Sequence, residues 1–259
     1  MKGHEGIYYD ERYQRGYRSE LSGYEKARHR ALNHFIRRVA RIKQVQTMLD
    51  YGSGSGLFLD LWKELFPAAA LCCTDISGVA LKQLEGKYSH YDVICGLVKD
   101  GQAPFADSMF DLVVSVEVME HVQDIDVFLA DIHRLLKPGG YFLWTTPCAN
   151  ALSIEHIYSL FSAKIEKTAD GYRRWQWEEK THVRRLKSRE AKDIVTRAGF
   201  GPVDFRFRAH FFSFFCTYIL SPLSRGRLKK TWEKLMFLDY ALFRRLPNGA
   251  SMIGGATKV

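Results

Sequence analysis

Proline and cysteine are scarce in this 259-residue chain, with 7 and 5 copies, and several familiar signals are missing. The cysteines stand at 72, 73, 95, 148 and 216, and no C-x-x-C pair occurs. An odd count without paired spacing argues against a disulfide framework and against a zinc site built on cysteine. Reduced, mostly buried thiols and a cytoplasmic location are therefore expected. No run of 18 apolar residues exists, and the longest apolar stretch, Phe211 to Leu220, is too short to span a bilayer. The first twenty residues are polar and aromatic, without the apolar segment of a secretory leader. Internal repeats and low-complexity linkers are also lacking. The single glycine-rich turn carries no Lys followed by Ser or Thr, which excludes a phosphate-gripping loop. Its spacing also departs from the dinucleotide pattern G-x-G-x-x-G.

What is present is an apolar fraction of 46 %, enough for the core of one large α/β domain, and a net charge of +9. The basic residues concentrate before position 50 and after 164, whereas 100–131 is acidic. That asymmetry suits an anionic partner, nucleic acid or membrane surface, or simply a solvated basic face.

Apolar runs and helical periodicities alternate along the chain. Helical spacing covers 22–43, 79–88, 124–136 and 188–198. Strands are predicted at 46–50, 70–75, 92–97, 110–116, 141–145, 203–208 and 252–259. Lys137-Pro138-Gly139-Gly140 reads as a stop after the 124–136 helix. The alternation implies an α/β fold: a doubly wound, mostly parallel, seven-stranded sheet of Rossmann-like type. Two segments interrupt it. The first, 148–187, is aromatic and charged. The second, 211–247, joins an aromatic run to a basic amphipathic stretch around Trp232, Leu242 and Leu246. Both read as insertions forming a substrate cap on one domain spanning 1–259, with 1–43 as an N-terminal arm and helix.

The most informative segment is Asp50-Tyr51-Gly52-Ser53-Gly54-Ser55-Gly56, placed where a strand ends and a helix begins. Glycine accepts positive φ and lets a ligand lie against the backbone. The following helix offers free N–H groups at its start. Asp75 closes the second strand, where a carboxylate can accept from both hydroxyls of a ribose. Asp-x-Gly-x-Gly-x-Gly resembles motif I of class I S-adenosylmethionine-dependent methyltransferases. Asp100-Gly101-Gln102-Ala103-Pro104-Phe105, Phe110 to Ser115 and Leu136 to Phe142 resemble that family's later motifs. The resemblance implies the family's fold and S-adenosyl-L-methionine as cofactor. Asp50, Gly52, Gly54, Gly56, Asp75, Ile76, Asp100 and Ser115 are its implied contacts. Asp100 stands one residue off the usual place for the adenine partner. Tyr8 and Tyr9 are candidates for a lid, or for a simple packed aromatic arm.

Glu117-Val118-Met119-Glu120-His121 follows the fourth strand directly. Positions 117, 120 and 121 share a face if the chain turns helically. With His182, from Thr181-His182, they form a candidate metal set for Mg²⁺; His121 and Glu117 are also candidate catalytic groups. The Thr-His before a helix resembles the ubiquinone-pathway O-methyltransferases. The E-x-x-E-H with a later His resembles the enzymes that 2′-O-methylate small RNA. Many methyltransferases carry Glu-His here without metal, so His121 as a plain base stays open.

The expected function is O-methylation of a small or lipid-linked hydroxylated molecule, with peripheral contact to anionic membrane. RNA 2′-O-methylation with Mg²⁺ is an alternative, weakened by the absence of an RNA-binding module. A non-catalytic cofactor-binding protein is the other.

Overall fold

The structure is a computed structural model that describes residues 4–17, 21–39, 45–162, 165–167, 173–175, 178–216 and 227–259. Before the sheet come helices α1 (His4–Gln14) and α2 (Gly23–Ile36). Then follow β1 (Thr47–Tyr51), α3 (Leu59–Leu65), β2 (Ala70–Asp75), α4 (Gly78–Lys87), β3 (Val93–Leu97), β4 (Phe110–Val116), α5 (Ile125–Leu135) and β5 (Leu136–Pro147). The first interrupting segment holds α6 (Ile154–Phe161) and a small hairpin of β6 (Ile165–Lys167) and β7 (Arg173–Trp175). The chain ends with α7 (Ser188–Arg197), β8 (Asp204–Arg208), α8 (Phe212–Phe214), α9 (Arg227–Phe243) and β9 (Ser251–Thr257).

Seven strands form one sheet in the order β3-β2-β1-β4-β5-β9-β8. All neighbours are parallel except β9, which runs antiparallel to both β5 and β8. The sheet order reverses between β1 and β4, so a crevice opens at their carboxyl ends. Strands β1 and β4 are buried on both faces, as suits their mostly apolar sequences; Asp50 and Ser115 are buried with them. One core packs α2 and α3 against Met48, Leu112 and Leu143; the other packs α5 against Leu49, Val113 and Phe142.

Local chemistry sets the helix starts. Ser22 and Glu25 form a reciprocal capping box on α2. The Asp124 carboxylate accepts from the N–H groups of Asp126 and Val127. The helix stops where Lys137-Pro138-Gly139-Gly140 leads one to expect: α5 ends at Leu135, and the four residues are taken directly into β5. A register shift against β4 between Phe110 and Leu112 absorbs them.

The stretch at 228–246 packs as a helix on α2. Met236 and Tyr240 turn inward, and the Asp239 carboxylate accepts from the N–H groups of His210, Phe211 and Phe212. Leu242 and Leu246 are exposed rather than sharing a buried face with Trp232. Tyr172, Trp177, Tyr218, Ile219 and Arg225, part of the aromatic and basic pattern of these segments, lie outside the described residues.

Candidate functional site

The glycine turn after β1 takes the conformation its composition dictates. Gly52, Gly54 and Gly56 all have positive φ, at 80°, 55° and 81°. The Asp75 carboxylate crosses from β2 to accept from Gly54 N–H at 2.8 Å and from Ser77 N–H at 2.9 Å. Asp50 is buried and accepts from the Trp62 indole N–H at 2.7 Å, tying β1 to α3. Burial raises the Asp50 carboxyl to about 7, helped by the nearby Asp75 charge and opposed by the Trp62 hydrogen bond. Burial also raises Asp75, to about 6, against the N–H groups that it accepts from.

Helix α1 lies over this turn. A Cβ built on Gly54 would collide with the Tyr13 hydroxyl, and one on Gly6 would press on the Ile76 carbonyl at 3.1 Å. Asp10 accepts from Ser77 Oγ at 2.6 Å and from Val79 N–H at 3.1 Å, and Gln83 donates to the Tyr13 carbonyl. Tyr9 packs edge-on to His121, with ring centroids 6.1 Å apart. Tyr8 is exposed, and its ring meets Tyr9.

Asp100 sits exposed at a tight turn with φ 51°, and Ile76 is 37 % exposed. Two buried hydroxyls at this sheet edge, Thr74 Oγ1 and Ser115 Oγ, have no protein partner. The cradle of three positive-φ glycines, the strand-end carboxylate and these orphan hydroxyls fit a nucleoside-type cofactor.

Beyond β4 the chain turns sharply at Glu117, whose φ is 56°. Val118 fills the space above Gly52, where a Cβ would strike it. Glu120, His121 and His182 converge, each offering one ligand atom, with these atoms all within 4.8 Å of one another. The two imidazoles pack edge to face at 4.7 Å between centroids. Glu120 is fully buried; Thr146 donates to its Oε2, and its Oε1 has no partner. Burial, then the charge of Glu117, pushes Glu120 well above the usual carboxylate range.

Glu117 stands outside this trio. Its carboxylate pairs with the buried Arg28 at 2.9 Å and accepts from Thr145 Oγ1 at 2.8 Å. Two imidazoles and one carboxylate make a set better suited to a borderline transition metal than to Mg²⁺, which prefers oxygen.

Thr181 of the Thr-His pair, and several residues that sequence reasoning passed over, hold the trio in place. Thr181 Oγ1 donates to Glu179 at 3.1 Å and lies 3.0 Å from His121 Nδ1. A hydroxyl has one proton, so Thr181 accepts from His121 Nδ1–H, and Nε2 becomes the basic nitrogen. Glu179 is itself held by Arg12 and by the Tyr17 hydroxyl, linking α1 to the 178–186 segment. Glu178 accepts from His182 Nδ1 at 2.7 Å. Arg184 donates to the carbonyls of Met119, Val122 and Gln123, and Arg185 bonds Glu155, Cys148 O and Ala250 O. One signal was visible for Arg28: a charge within the buried stripe Ala27, Ala31, Leu32 and Phe35 of α2.

Comparison with known proteins agrees with this geometry. A family model described as a methyltransferase domain matches residues 24–204. The ubiquinone/menaquinone biosynthesis C-methyltransferase UbiE of Laribacter hongkongensis is 27 % identical over 188 residues, covering 68 % of this chain and 76 % of that protein. A ubiquinone biosynthesis O-methyltransferase of Paramagnetospirillum magneticum is 35 % identical over 101 residues, 39 % of this chain and 40 % of the relative. A malonyl-[acyl-carrier protein] O-methyltransferase of Chlorobium phaeovibrioides is 29 % identical over 128 residues, 47 % of this chain. The match to that last relative spans 48 % of its length, about half.

Among solved structures, a methyltransferase of Thermotoga maritima superposes with a TM-score of 0.58 at 15 % identity, covering 97 % of this chain and 99 % of that one. The phosphoethanolamine N-methyltransferase 2 of Haemonchus contortus, solved with S-adenosyl-L-methionine, gives 0.54 at 18 % identity over 88 % of this chain and 52 % of that one. Motif, sheet order and family match agree: the chain belongs to the class I S-adenosylmethionine-dependent methyltransferases.

Proposed function

We propose that this chain transfers the methyl group of S-adenosylmethionine to a hydroxyl oxygen of a small or lipid-linked molecule, with His121 as the base. The observation that supports this most is the Glu179–Thr181–His121 chain of hydrogen bonds, which leaves the basic nitrogen of His121 on Nε2. The cofactor supplies an activated methyl on a sulfonium. The protein's part is to position the two partners and take the acceptor's proton. Asp75 would hold the ribose and the glycine turn would hold the remainder. His121 would receive the hydroxyl proton at Nε2, and its imidazolium would be steadied through Nδ1–H by Thr181 and the Glu179 carboxylate. Where a metal binds Glu120, His121 and His182, it would acidify the acceptor hydroxyl instead. The relatives methylate carbon as well as oxygen by name, so the deciding experiment is an acceptor screen with isotopically labelled cofactor, followed by mapping of the methylated atom. Label on carbon in every product would overturn the oxygen reading.

Asp75 gives a pH test. Its folded value lies above its ordinary one, so the folded apoprotein takes up a proton as pH falls from about 6 towards 4 and gains stability there. The cofactor's ribose needs the ionised form. Affinity should therefore fall as pH drops through about 6. Asp75→Asn should cost roughly 1.5–3 kcal/mol of binding at pH 8 and remove this pH dependence. A wild-type affinity that is flat from pH 8 to 5 by calorimetry would take Asp75 out of the site.

Peripheral contact with anionic membrane is supported by one surface. Leu160 and Phe161 of α6, with Phe211, Phe212 and Phe215, are exposed, and Tyr158 packs on Phe214. With a net charge of +9, such a face suits anionic lipid. Vesicles containing phosphatidylserine should sediment the protein at low salt and release it at high salt. Phe161→Ser with Phe212→Ser should abolish the sedimentation. Equal recovery with neutral vesicles would remove the anionic preference.

A further inference from the structure

Helix α1 touches both halves of the site, yet little of it is buried. Among its described side chains Tyr13 alone is buried. What holds the helix is polar. At the cofactor turn, Asp10 accepts from Ser77 and Val79, Gln83 donates to the Tyr13 carbonyl, and the Tyr13 hydroxyl sits against Gly54. On the acceptor side, Arg12 and Tyr17 both reach Glu179. An element with few buried apolar contacts opens readily.

The end of the helix prepares the second of these holds. Gly16 has φ 82°; Tyr17 N–H donates to the Arg12 carbonyl at 3.1 Å, and Gly16 N–H to the Tyr13 carbonyl at 3.0 Å. This is a Schellman turn, which folds the chain back over the last turn of helix. It sets Tyr17 against Arg12, whose guanidinium lies 3.7 Å from the centre of the Tyr17 ring. The two side chains then meet one carboxylate together. The Tyr17 hydroxyl donates to Glu179 Oε2 at 3.0 Å, and the guanidinium donates to Oε1. The Arg12 and Glu179 side chains are 23 % and 20 % exposed, so their charge-assisted bond is partly shielded from water.

Glu179 Oε1 also accepts from Thr181 Oγ1 at 3.1 Å, and Thr181 meets His121 Nδ1 at 3.0 Å. The series Arg12–Glu179–Thr181–His121 therefore joins the helix over the cofactor turn to the proposed base. Thr181 has a single proton to donate. While Glu179 takes it, Thr181 accepts from His121 Nδ1–H, and Nε2 is basic. With Arg12 and Tyr17 withdrawn, two of the donors that hold Glu179 are gone, and the carboxylate can turn away from Thr181. The hydroxyl can then donate to Nδ1. Exchange with water carries the ring proton from Nδ1 to Nε2, and the nitrogen facing the acceptor no longer accepts one.

We propose that α1 is a lid whose closure over the cofactor readies the base, and that Arg12 is the positioning residue that transmits it, by holding Glu179 on Thr181 and so the His121 proton on Nδ1. Cofactor then binds before the acceptor can lose its proton. This rests on His121 as the base.

The test uses the full chain with S-adenosylhomocysteine, the demethylated cofactor, so no turnover occurs. Calorimetry fixes a saturating concentration for each variant. Trypsin cleavage after Arg15 reads the lid, and the ¹⁵N shifts of the His121 ring read the tautomer. In the wild type the ligand should slow cleavage about tenfold or more and raise the Nδ1–H share of His121. Arg12→Met should lose most of that protection and keep His121 protonated on Nε2 with ligand bound. In turnover it should lower kcat about tenfold at unchanged KM for the acceptor, with a shifted acidic limb in the pH–rate profile. Arg12→Lys restores the charge and should recover part of each loss. Glu11→Gln, on the exposed face of α1 where Glu11 pairs with Arg15 at 3.7 Å, is the control and should keep the wild-type protection by ligand. A wild type cut equally fast or faster with ligand overturns the proposal. So does an Arg12→Met protein with wild-type ring shifts, or with wild-type kcat and pH profile. Failure of the base reading is a separate result: protection and ring shifts as expected, but full activity in His121→Ala, which would overturn the readying of the base and leave the lid.

Discussion

Gly54→Val should abolish cofactor binding and loosen the N-terminal helix in one step. Gly54 sits at φ 55°, where a β-branched residue is strained, and its missing Cβ is the space the Tyr13 hydroxyl occupies. A valine must push Tyr13 away, and α1 is tied to α4 there, by Gln83 donating to the Tyr13 carbonyl and by Asp10 accepting from Ser77 and Val79. It would also rotate the Gly54 N–H, which holds Asp75. We expect affinity for S-adenosylmethionine to fall by more than about 100-fold, about 3 kcal/mol. Strain and overpacking of about 1–3 kcal/mol should lower Tm by several degrees, while the sheet persists. Trypsin should then cut faster at Arg12 and Arg15. Gly86→Ala, on α4 with open space around its Cβ, serves as the control and should bind normally. Gly54→Val that binds cofactor like the control would remove the turn from the site.

The succession of strands and helices was readable because the core strands are mostly apolar and the helices between them carry a one-sided stripe. Strands β1, β2, β3 and β4 and helices α4, α5 and α7 fall within a residue or two of their predicted bounds. Pro138-Gly139-Gly140 follow the end of α5 as read, and the same residues also open β5, where a register shift against β4 accommodates them. The conformation of the glycine turn was legible because its requirement is local, positive φ at alternate residues.

The acceptor side was less legible, because it depends on contacts across long sequence separations. Glu117 shares a helical face with Glu120 on paper. In the fold its backbone takes positive φ, and Arg28, 89 positions earlier, draws it away. Thr181 and Glu179 reach His121 from about 60 residues downstream. The sequence did point to Glu120, His121 and His182, which converge; the buried charge of Arg28 on an apolar stripe was a further signal, one left unread.

His121→Ala should lower turnover by about 10²- to 10⁴-fold with cofactor affinity unchanged, since a general base contributes on that scale. Thr181 gives the sharper discrimination. It holds His121 through Nδ1 without facing the acceptor, so it acts as a positioning residue. Thr181→Val removes both its hydrogen bonds and should reduce kcat about tenfold or more, with a shifted acidic limb in the pH–rate profile, while KM for the cofactor stays constant. Thr181→Ser restores the hydroxyl and should recover most of the rate. The metal alternative separates cleanly. If a cation on Glu120, His121 and His182 carries the step, chelator should silence the wild type, and Zn²⁺ or Mn²⁺ should restore it better than Mg²⁺, given two imidazole donors. Glu120→Gln should then be as damaging as His121→Ala. If His121 is the base, chelator should leave the rate unchanged. Glu120→Gln should then be mild, because the buried Glu120 carboxyl is already held towards its neutral form. Full activity in His121→Ala, with or without chelator, would exclude both and leave the acceptor's proton to another group.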